Sequence, residues 1–522
     1  MNYKWLINIL KVETTSPTKV YMRTILWSTL FFIFLGTQQI TLAQKAQLDT
    51  KALDAYLAKY LPQFKIPGFA LAIIQNDKVV YQKYYGKVKL NGDVAINGQS
   101  LFQIASCTKA FTAAALGILV QQKKLKWDDK VVQYLPNFKL ADEWITQHLT
   151  IRDLLSHRSG LAAYDGDLLI FRRPHNTQEV IQKLKHYPIR RSFRASYGYQ
   201  NLMYMVAGEI IRKVSGKPWE AFIKEQIFEP LQMTHSYTRS PKASNPHLVR
   251  PFILQKPIDF VKEQPNASGS IFSTMDDMIR WTKMWLNPQN KLLKPRTVHQ
   301  IFKPHNIRSI SNLYKQLGIQ FHSYGLGWQM FDFAGKKVVE HGGFLPGYMS
   351  KVMLVPGENL GVVMLSNDIH TFREALFFNI LSNVLTNKPL DIAPPMLQYQ
   401  QQMPKATQYF IQAQSKKRKK NTQPSLPLRR FTGTYEDKLY GKAEITLKGQ
   451  KLSLKMLPHA QIFNTELSHW QDDRFLLTFK MGNYGLAGFV EFQLDKNKQL
   501  TGFKLNIPNP DLNFYNLNFE KK

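Results

Sequence analysis

The stretch that decides the fold is residues 102–120, FQIASCTKAFTAAALGILV. Apolar side chains cover almost every side of the segment from Ala110 to Val120, which predicts a buried helix. Ser106 then stands at or near the helix N-terminus, and Lys109 lies one turn later on the same face. The only cysteine of the chain, Cys107, falls between them. The stretch therefore brings a hydroxyl, a thiol and an amine together at the start of a core helix.

The spacing of Ser106 and Lys109 suits nucleophilic catalysis. A serine hydroxyl is a weak nucleophile that needs a base, and burial shifts a lysine toward its neutral form. The helix N-terminus favours a developing anion, and its backbone N–H groups can hold an oxyanion. The pattern alone is weak evidence, because Ser16 and Lys19 repeat it without meaning.

Cys107 has two interpretations. On a helix its side chain points about 100° away from that of Ser106, so it can serve as a small apolar filler in a packed helix. The alternative is a redox-sensitive thiol close to the active centre. A cysteine nucleophile is disfavoured because Lys109 is in register with the serine.

The composition of the chain changes along its length. Residues 46–390 alternate apolar strands and helices, and residues 391–429 form a linker that is rich in Gln, Pro and Lys and has room for one helix. From residue 430 to residue 522 the apolar period becomes two, which predicts a small all-β barrel or sandwich.

Local signals mark individual elements of the first domain. Two apolar runs around a turn predict hairpins at 68–86 and at 352–368, the second with Pro356 and Gly357 at its turn. Thr150, followed three residues later by Asp153, predicts a capped helix start.

The N-terminus predicts export. Residues 22–44 contain Arg23, a mostly apolar run at 25–35 and a plausible cleavage site at 41–43, which together form the pattern of a secretory signal peptide. We therefore interpret residues 1–43 as a signal peptide, with Met22 as an alternative start. The expected location is periplasmic or extracellular, and an uncleaved membrane anchor is the alternative.

The charge and the cysteine count exclude several classes. The formal net charge is +32, from 69 basic and 37 acidic residues, yet no nucleic-acid-binding motif accompanies it and export argues against nucleic acid as a partner. The basic run at 416–420 indicates a solvated linker, or attraction to an anionic envelope surface. One cysteine permits no intrachain disulfide, and no clustered ligand spacing predicts a metal or other cofactor.

Three further segments accompany the Ser106 motif. They are FRASYGYQNLMYMVAGEIIRKVSGKPW at 193–219, YGLGW at 324–328 and EHGGFLPGYMS at 340–350. In this order they resemble the serine β-lactamase and penicillin-binding-protein superfamily, on the branch of class C β-lactamases and D-alanyl-D-alanine carboxypeptidases. The resemblance covers residues 48–390, and residues 430–522 resemble a lipocalin-like β-domain.

The resemblance implies a fold of the mixed α/β (α+β) class. We expect an antiparallel sheet flanked by helices with a helical subdomain, followed by a small C-terminal barrel-like domain.

The resemblance also implies the catalytic roles. Ser106 matches the acylated nucleophile, Lys109 its buried partner, and Tyr199 the tyrosine that moves protons. A tyrosine has an unperturbed pKa of about 10, so it needs nearby positive charge to act as a base, and Lys109 can supply that charge. Tyr197 is a rival, but only Tyr199 has an asparagine two residues later.

Further positions match the substrate-binding pattern of the family. Asn201 matches the amide that contacts the substrate and orients the lysine. The strand motif of the other cleft wall matches His341, Gly342 and Gly343. The backbone N–H groups of Ser106 and Phe344 match the oxyanion hole.

Two tempting features are interpreted as structural. His157, in LLSHRSGL, resembles a general base but falls outside the catalytic pattern of the family, so we expect a hydrogen-bonded structural histidine. Gly325 and Gly327 favour a lead into a strand over a phosphate cradle.

Position 341 departs from the family pattern, which has a lysine there. A histidine with an unperturbed pKa near about 6.5 is mostly neutral at pH 7. The loss of a permanent cation weakens recognition of a substrate carboxylate. The sequence therefore predicts weak or no β-lactamase activity.

The expected function is that of an exported, metal-free serine hydrolase that works through a covalent acyl-enzyme. Its expected substrates are peptides, amides or esters, including D-amino-acid or peptidoglycan-type peptides. A small-molecule carboxylesterase is one alternative. A catalytically inactive envelope-binding module, in which the β-domain does the binding, is the other.

Overall fold

The structure is a computed structural model that describes residues 47–89, 92–170, 176–260, 265–481, 484–509 and 511–522. The predicted signal peptide and the alternative anchor lie outside the described residues. Residues 48–522 form one compact unit. Within the described part of the chain, no helix has both the length and the apolar composition needed to cross a membrane.

An eight-stranded antiparallel sheet forms the centre of the first domain. Strand β1 lies between β2 and β12, so that Phe69 pairs with Ser366 and the start of the domain is joined to its end. The spatial order is β2-β1-β12-β11-β10-β9-β8-β7. The strands of this sheet are β1 (Gly68–Gln75), β2 (Lys78–Gly86), β7 (Asn306–Ile307), β8 (His322–Tyr324), β9 (Gln329–Phe333), β10 (Lys336–Leu345), β11 (Tyr348–Val355) and β12 (Leu360–Ser366). Four short strands form two separate pairs, β3 (Phe102–Gln103) with β6 (Phe272–Ser273) and β4 (Phe252–Ile253) with β5 (Lys256–Pro257).

Both predicted hairpins are present in the sheet. Asn76 and Asp77 form the first turn with φ values of 51° and 64°, the left-handed conformation that tight hairpin turns require. Every residue of β1 is buried, as expected for a strand near the middle of a covered sheet. The second turn is a short 3₁₀ segment, Pro356–Glu358.

The helices cover the sheet and build a separate helical region. The central helix, α2, is buried at every position from Thr108 to Leu119. Phe111 of this helix stacks on Trp281, with ring centroids 3.7 Å apart. The helices of the first domain are α1 (Thr50–Phe64), α2 (Thr108–Gln121), α3 (Val131–Tyr134), α4 (Glu143–His148), α5 (Ile151–Leu155), α6 (Asp167–Ile170), α7 (Thr177–Lys183), α8 (Asn201–Ser215), α9 (Trp219–Ile223), α10 (Met275–Leu286), α11 (Pro295–Ile301), α12 (Asn312–Gln316) and α13 (Phe372–Thr386).

The C-terminal segment is a closed barrel of eight antiparallel strands. Strand β13 pairs with both β14 and β20, which closes the sheet on itself. Buried aromatic side chains fill the interior, among them Tyr435, Phe503 and Phe519. The strands are β13 (Gly433–Asp437), β14 (Gly441–Lys448), β15 (Lys451–Met456), β16 (Asn464–Gln471), β17 (Arg474–Met481), β18 (Tyr484–Leu494), β19 (Leu500–Asn506) and β20 (Asn518–Lys521).

The segment between the two domains carries two helices, whereas the sequence suggested room for one. They are α14 (Ala393–Gln402) and α15 (Ala406–Ser415), separated by a 3₁₀ turn that contains Pro404. The Gln400 side chain donates to the Phe64 carbonyl at 3.1 Å, and Thr407 donates to the Gly485 carbonyl at 2.9 Å. The segment is therefore anchored to α1 on one side and to the barrel on the other.

These elements confirm the predicted fold class, a mixed helix and sheet domain followed by a β-barrel.

Candidate active site

Ser106 lies in a 3₁₀ turn, Ala105–Cys107, directly before α2. Ala105 has a φ of 47°, a left-handed conformation that costs a non-glycine residue roughly 1 kcal/mol or more. Such strain is retained where the surroundings hold the backbone in place. The turn therefore presents the Ser106 hydroxyl at the N-terminus of a buried helix, where a developing negative charge is stabilised.

Lys109 is completely buried behind Ser106. Its Nζ donates to three acceptors, the Ser106 hydroxyl at 3.2 Å, the Asn201 side-chain oxygen at 2.5 Å and the Ser268 carbonyl at 2.9 Å. Burial lowers the pKa of Lys109, and the nearby Asp167 carboxylate opposes part of this effect. An amine with a lowered pKa in contact with a serine hydroxyl is suited to receive the serine proton.

Tyr199 completes the contacts of the serine. The Ser106 side chain is near enough to its hydroxyl to lower its pKa, and the Lys109 Nζ lies 4.8 Å from the centroid of its ring. Burial raises the pKa of Tyr199 well above its ordinary value, and the nearby Ser106 side chain lowers it only in part. Tyr199 is therefore a neutral phenol in the resting protein, placed to relay a proton rather than to hold a charge.

Asn201 connects the lysine to an acidic residue that the sequence did not single out. The Asn201 side-chain oxygen accepts from Lys109, and its Nδ2 donates to Asp167 Oδ2 at 2.6 Å. This pair of bonds fixes the orientation of the amide. Burial raises the pKa of the Asp167 carboxyl. Asp167 and Asn201 are 34 residues apart, and no local pattern in the sequence indicates their contact.

His341 lies on β10 with both ring nitrogens engaged inside the protein. Its Nδ1 is 2.8 Å from the Gly342 carbonyl oxygen, which can only accept, so Nδ1 carries the proton. Nε2 then accepts from the Tyr324 hydroxyl at 2.8 Å. Burial lowers the pKa of His341 to about 3. The ring is therefore neutral, and its only N–H group is already used.

The two glycines after His341 leave space that a side chain would fill. A Cβ on Gly343 would come within 2.2 Å of the Ile104 carbonyl oxygen, so β10 can approach the serine turn only with glycine there. A Cβ on Gly342 would come within 3.3 Å of the Arg373 guanidinium.

The predicted site residues meet at one cavity of about 640 Å³. Lys109 lies behind it rather than on its wall. The backbone N–H groups of Ser106 and Phe344 stay a prediction for the oxyanion hole, supported by the position of both residues on this wall. The predicted residues that line the cavity are Ser106, Tyr199, Asn201, His341, Gly342, Gly343 and Phe344.

His157 lies next to the site but not on the cavity wall. Its Nδ1 accepts from the backbone N–H of Gln200 at 3.0 Å, and its backbone oxygen accepts from Gly198. The ring packs 4.4 Å from that of Tyr199, centroid to centroid, and burial lowers its pKa well below the ordinary value. These contacts hold the segment that carries Tyr199 and Asn201, which agrees with a structural histidine.

Cys107 is buried against β10 and β11. Its Sγ lies 3.2 Å from the His341 carbonyl and 3.2 Å from the Ser350 hydroxyl. Burial raises the pKa of the thiol to about 11, so the reactive thiolate is scarce at neutral pH. The contacts favour the packing interpretation over the redox one.

We expect Cys107→Ala to leave kcat/KM within a few-fold of the wild type. The loss of a small buried group costs about 1 kcal/mol of the free energy of unfolding, measured in urea. A thiol reagent should not react with the folded protein and should react once it is unfolded. Inactivation of the wild type, but not of Cys107→Ala, by that reagent would instead favour the redox interpretation.

Tyr199→Phe and Tyr197→Phe form a matched pair. Both tyrosines line the cavity, but Tyr199 lies against Lys109, with Nζ 4.8 Å from its ring centroid, while Tyr197 lies under Arg308 at 4.7 Å. Removing a proton relay lowers kcat/KM by about 10²–10⁴, so we expect a loss in this range for Tyr199→Phe and at most a few-fold loss for Tyr197→Phe. Equal losses in the two variants would contradict the assignment of Tyr199.

Residues 51–382 match the protein family described as Beta-lactamase. Residues 417–521 match a second family, described as Domain of unknown function (DUF3471).

Among curated proteins, the chain is similar to the unguisins hydrolase ungD' of Aspergillus campestris, with 28% identity over 64% of this chain and 64% of that protein. It is also similar to the protein flp of Staphylococcus aureus, with 25% identity over 67% of this chain and 70% of that protein. Among solved structures, the octameric penicillin-binding protein homologue from Pyrococcus abyssi has 21% identity and a TM-score of 0.56. That match covers 91% of this chain and 100% of the other, and it shows a shared fold.

Proposed function

This chain belongs to the beta-lactamase family and is a serine hydrolase, and from that premise we propose that it is an exported enzyme that forms a covalent acyl-enzyme on Ser106. The observation that carries the proposal is the buried amine of Lys109, which contacts both Ser106 and Asn201. The substrates we propose are peptides, amides or esters, with D-amino-acid or peptidoglycan-type peptides as the favoured subclass.

Each reaction step follows from a contact at the site. Ser106 Oγ attacks the substrate carbonyl while its proton passes to Lys109, and the resulting oxyanion is held by the backbone N–H groups of Ser106 and Phe344. Collapse of the tetrahedral intermediate breaks the bond to the leaving amine or alcohol, which takes a proton from Tyr199, and Tyr199 regains a proton from Lys109. Water then attacks the acyl-serine and gives a proton to Lys109 by way of Tyr199. As the ester bond breaks, the Ser106 oxygen takes that proton from Lys109 and leaves as the hydroxyl.

The neutral ring of His341 supports weak β-lactamase activity. Penicillins and C-terminal D-alanine peptides carry a carboxylate, and charge-assisted hydrogen bonds are about twice as strong as neutral ones. His341 offers neither a charge nor a free N–H group. His341 therefore adds nothing to the binding of a substrate carboxylate, and the Arg373 guanidinium beside Gly342 is the cation of this strand. The uncharged histidine also supports the alternative of a small-molecule carboxylesterase.

An inactive envelope-binding module is the second alternative. A protein without catalytic function has no need to keep an amine fully buried against a serine and an amide, because burial of such a group costs stability. The contacts of Lys109 therefore speak against this alternative. The name of the Aspergillus relative, a hydrolase, also supports catalysis in this family.

Covalent labelling tests the proposal. A fluorophosphonate bonds an activated serine oxygen with loss of fluoride, so we expect one added mass per chain and a modified peptide that contains Ser106. We also expect hydrolysis of p-nitrophenyl acetate, and slow labelling by a fluorescent penicillin. An unlabelled protein that also fails to hydrolyse the ester would favour the binding module.

The pH dependence of substrate preference tests the role of His341. Because burial lowers the pKa of His341 to about 3, the cation forms only below that pH and the neutral ring persists above it. The ratio of kcat/KM for a penicillin to that for the ester should therefore stay constant between about pH 8 and about pH 5. Titration of Lys109 affects both substrates alike and cancels in the ratio. A rise of the ratio toward acid would show that His341 becomes a carboxylate-binding cation.

We propose a periplasmic or extracellular location with attraction to an anionic envelope surface. The support comes from the signal pattern at residues 22–44 and from the net charge of +32. Cell fractionation followed by intact mass tests the location, since a cleaved protein begins near residue 44. Release of the protein from the envelope fraction by added salt tests the attraction, since salt screens it.

A further inference from the structure

The side-chain amide of Asn201 could be reversed without a change of shape. An amide oxygen and an amide nitrogen have nearly the same size, so the partners of the amide decide which atom faces which side. In this site the oxygen faces Lys109 Nζ at 2.5 Å, and Nδ2 faces Asp167 Oδ2 at 2.6 Å. The hydrogen bonds, rather than the packing of the side chain, therefore set the orientation of the Asn201 amide.

The neutral amine of Lys109 needs this orientation in order to accept a proton. A neutral amine has two N–H donors and one lone pair. The Asn201 oxygen at 2.5 Å and the Ser268 carbonyl at 2.9 Å can only accept, so they take the two N–H groups. The lone pair is then left for the third neighbour, the Ser106 hydroxyl at 3.2 Å. The two acceptors thus direct the basic site of Lys109 at the serine proton.

Lys109 cannot fix the amide by itself. Because the neutral amine both donates and accepts, a reversed Asn201 amide could donate to the lone pair and leave an N–H group of Lys109 facing the serine. The carboxylate of Asp167 only accepts, and a reversed amide would place its oxygen against a carboxylate oxygen at 2.6 Å. Asp167 is therefore the partner that excludes the reversed amide when Lys109 is neutral.

The turn that carries Asp167 is tied to the segment that carries Asn201. The backbone N–H of Tyr164 donates to the Tyr199 carbonyl at 2.8 Å, and the backbone N–H of Asp167 donates to the Tyr164 carbonyl at 3.1 Å. These bonds connect the backbones on either side of the Asp167–Asn201 contact, so the carboxylate has a fixed position relative to the amide.

The barrel holds the same turn from the other side. Asp165 is fully buried, and its Oδ1 accepts from Asn513 at 2.9 Å and from Asn516 at 2.7 Å. Both asparagines belong to the connection between β19 and β20. The same connection adds three residues to the wall of the active-site cavity, Asn509, Asp511 and Leu512. Asp167, two residues after Asp165, thus lies on a turn that is anchored in both domains.

We propose that Asp167 is a positioning residue for proton transfer: its carboxylate holds the Asn201 amide with the oxygen toward Lys109 and so keeps the lone pair of the neutral amine on the Ser106 hydroxyl. Asp167 has no hydrogen bond to Ser106 or Lys109 among the contacts of the described residues, and it acts through Asn201. The inference rests on the proposed acyl-enzyme function, because it concerns how the serine loses its proton.

The rate at which a fluorophosphonate labels Ser106 tests the inference, since labelling requires an activated serine. Asp167→Leu keeps the branched shape of the side chain and removes both acceptors. We expect its labelling rate and its kcat for p-nitrophenyl acetate to fall by about 10², the scale of a misplaced catalytic group, with KM within a few-fold. Asp167→Asn keeps one acceptor but can also donate, so it fixes the amide less well, and we expect an intermediate loss of about tenfold.

A double-mutant cycle separates this role from a purely structural one. If Asp167 acts through the Lys109 amine, Asp167→Leu has little left to remove in the Lys109→Met background, and the double variant should label within a few-fold of Lys109→Met. A contribution to folding or to the shape of the cavity would lower the rate by the same factor in both backgrounds. Thermal unfolding shows that each variant is folded, and Asp167→Asn takes the place of Asp167→Leu in the cycle if the leucine variant does not fold.

Asp277→Asn is the matched control. Asp277 is a buried carboxylate that accepts from the His235 backbone N–H and from the Ser236 hydroxyl, both at 2.8 Å, and it lies outside the cavity. Its substitution should lower the unfolding temperature and leave labelling within a few-fold. The inference is overturned if Asp167→Leu labels at the wild-type rate, if only its KM changes, or if its loss is as large in Lys109→Met as in the wild type. A wild type that takes up no label would instead reject the proposed function.

Discussion

Ser106→Ala is expected to abolish both covalent labelling and hydrolysis. Loss of a nucleophile that acts in a concerted set lowers kcat by on the order of 10⁶, which places the variant at the background of the assay. The substitution removes one hydroxyl from a short turn and leaves the other contacts of Lys109, to Asn201 and to the Ser268 carbonyl, in place. The thermal unfolding transition should therefore persist.

Ser268→Ala serves as the control for this result. Ser268 also lines the cavity, but its hydroxyl bonds the Asn266 side chain rather than Lys109. The control should still take up the fluorophosphonate. A label on a peptide without Ser106, or undiminished hydrolysis by Ser106→Ala, would refute the assignment of the nucleophile.

Lys109→Met is expected to lower kcat/KM by about 10²–10⁴, the range for loss of a general acid or base. Methionine fills a similar volume but leaves Asn201 Oδ1 and the Ser268 carbonyl without their donor, and an unsatisfied buried acceptor costs about 1–3 kcal/mol. The thermal unfolding transition of Lys109→Met, at a lower temperature than that of the wild type, is the control that shows the variant to be folded. Slow labelling by the fluorophosphonate should persist, because Ser106 is still present.

Two measurements separate a proton acceptor from a simple cation at position 109. Burial lowers the pKa of Lys109, so the neutral amine forms as the pH rises through a value below the ordinary lysine pKa of about 10.4. Activity should then increase with pH below that value. Lys109→Arg keeps the charge but cannot lose the proton, and we expect no recovery from it. Full recovery by arginine would show that only the charge matters.

The sequence predicts those parts of the fold that depend on neighbouring residues. Asn76 and Asp77 adopt the left-handed conformations that a tight turn between apolar runs demands. Thr150 and Asp153 form the expected reciprocal cap. The spacing of Ser106 and Lys109 likewise places them one turn apart, and the structure joins them by a hydrogen bond.

The remaining parts of the site depend on contacts between distant segments. The tautomer of His341 is set by Tyr324 and by the Gly342 carbonyl, which become informative only once the strands are paired. Asp167 acquires its role through Asn201. The contribution of the barrel to the cavity depends on the packing of two domains, and neither domain carries a pattern that reveals it.

The carboxylate of Asp165 also sets an order of events during biosynthesis. Its amide partners follow it by 348 and 351 residues, so a nascent chain contains Ser106 and Lys109 long before it contains Asn513 and Asn516. Until then the Ala162 N–H can satisfy Oδ2 of Asp165, but Oδ1 has to stay hydrated, because a buried carboxylate oxygen without a donor is costly. The cavity wall is completed only when the barrel has folded. A chain that is unfinished, or clipped by a protease within the barrel, thus carries Ser106 and Lys109 in a cavity that lacks the part of its wall formed by Asn509, Asp511 and Leu512.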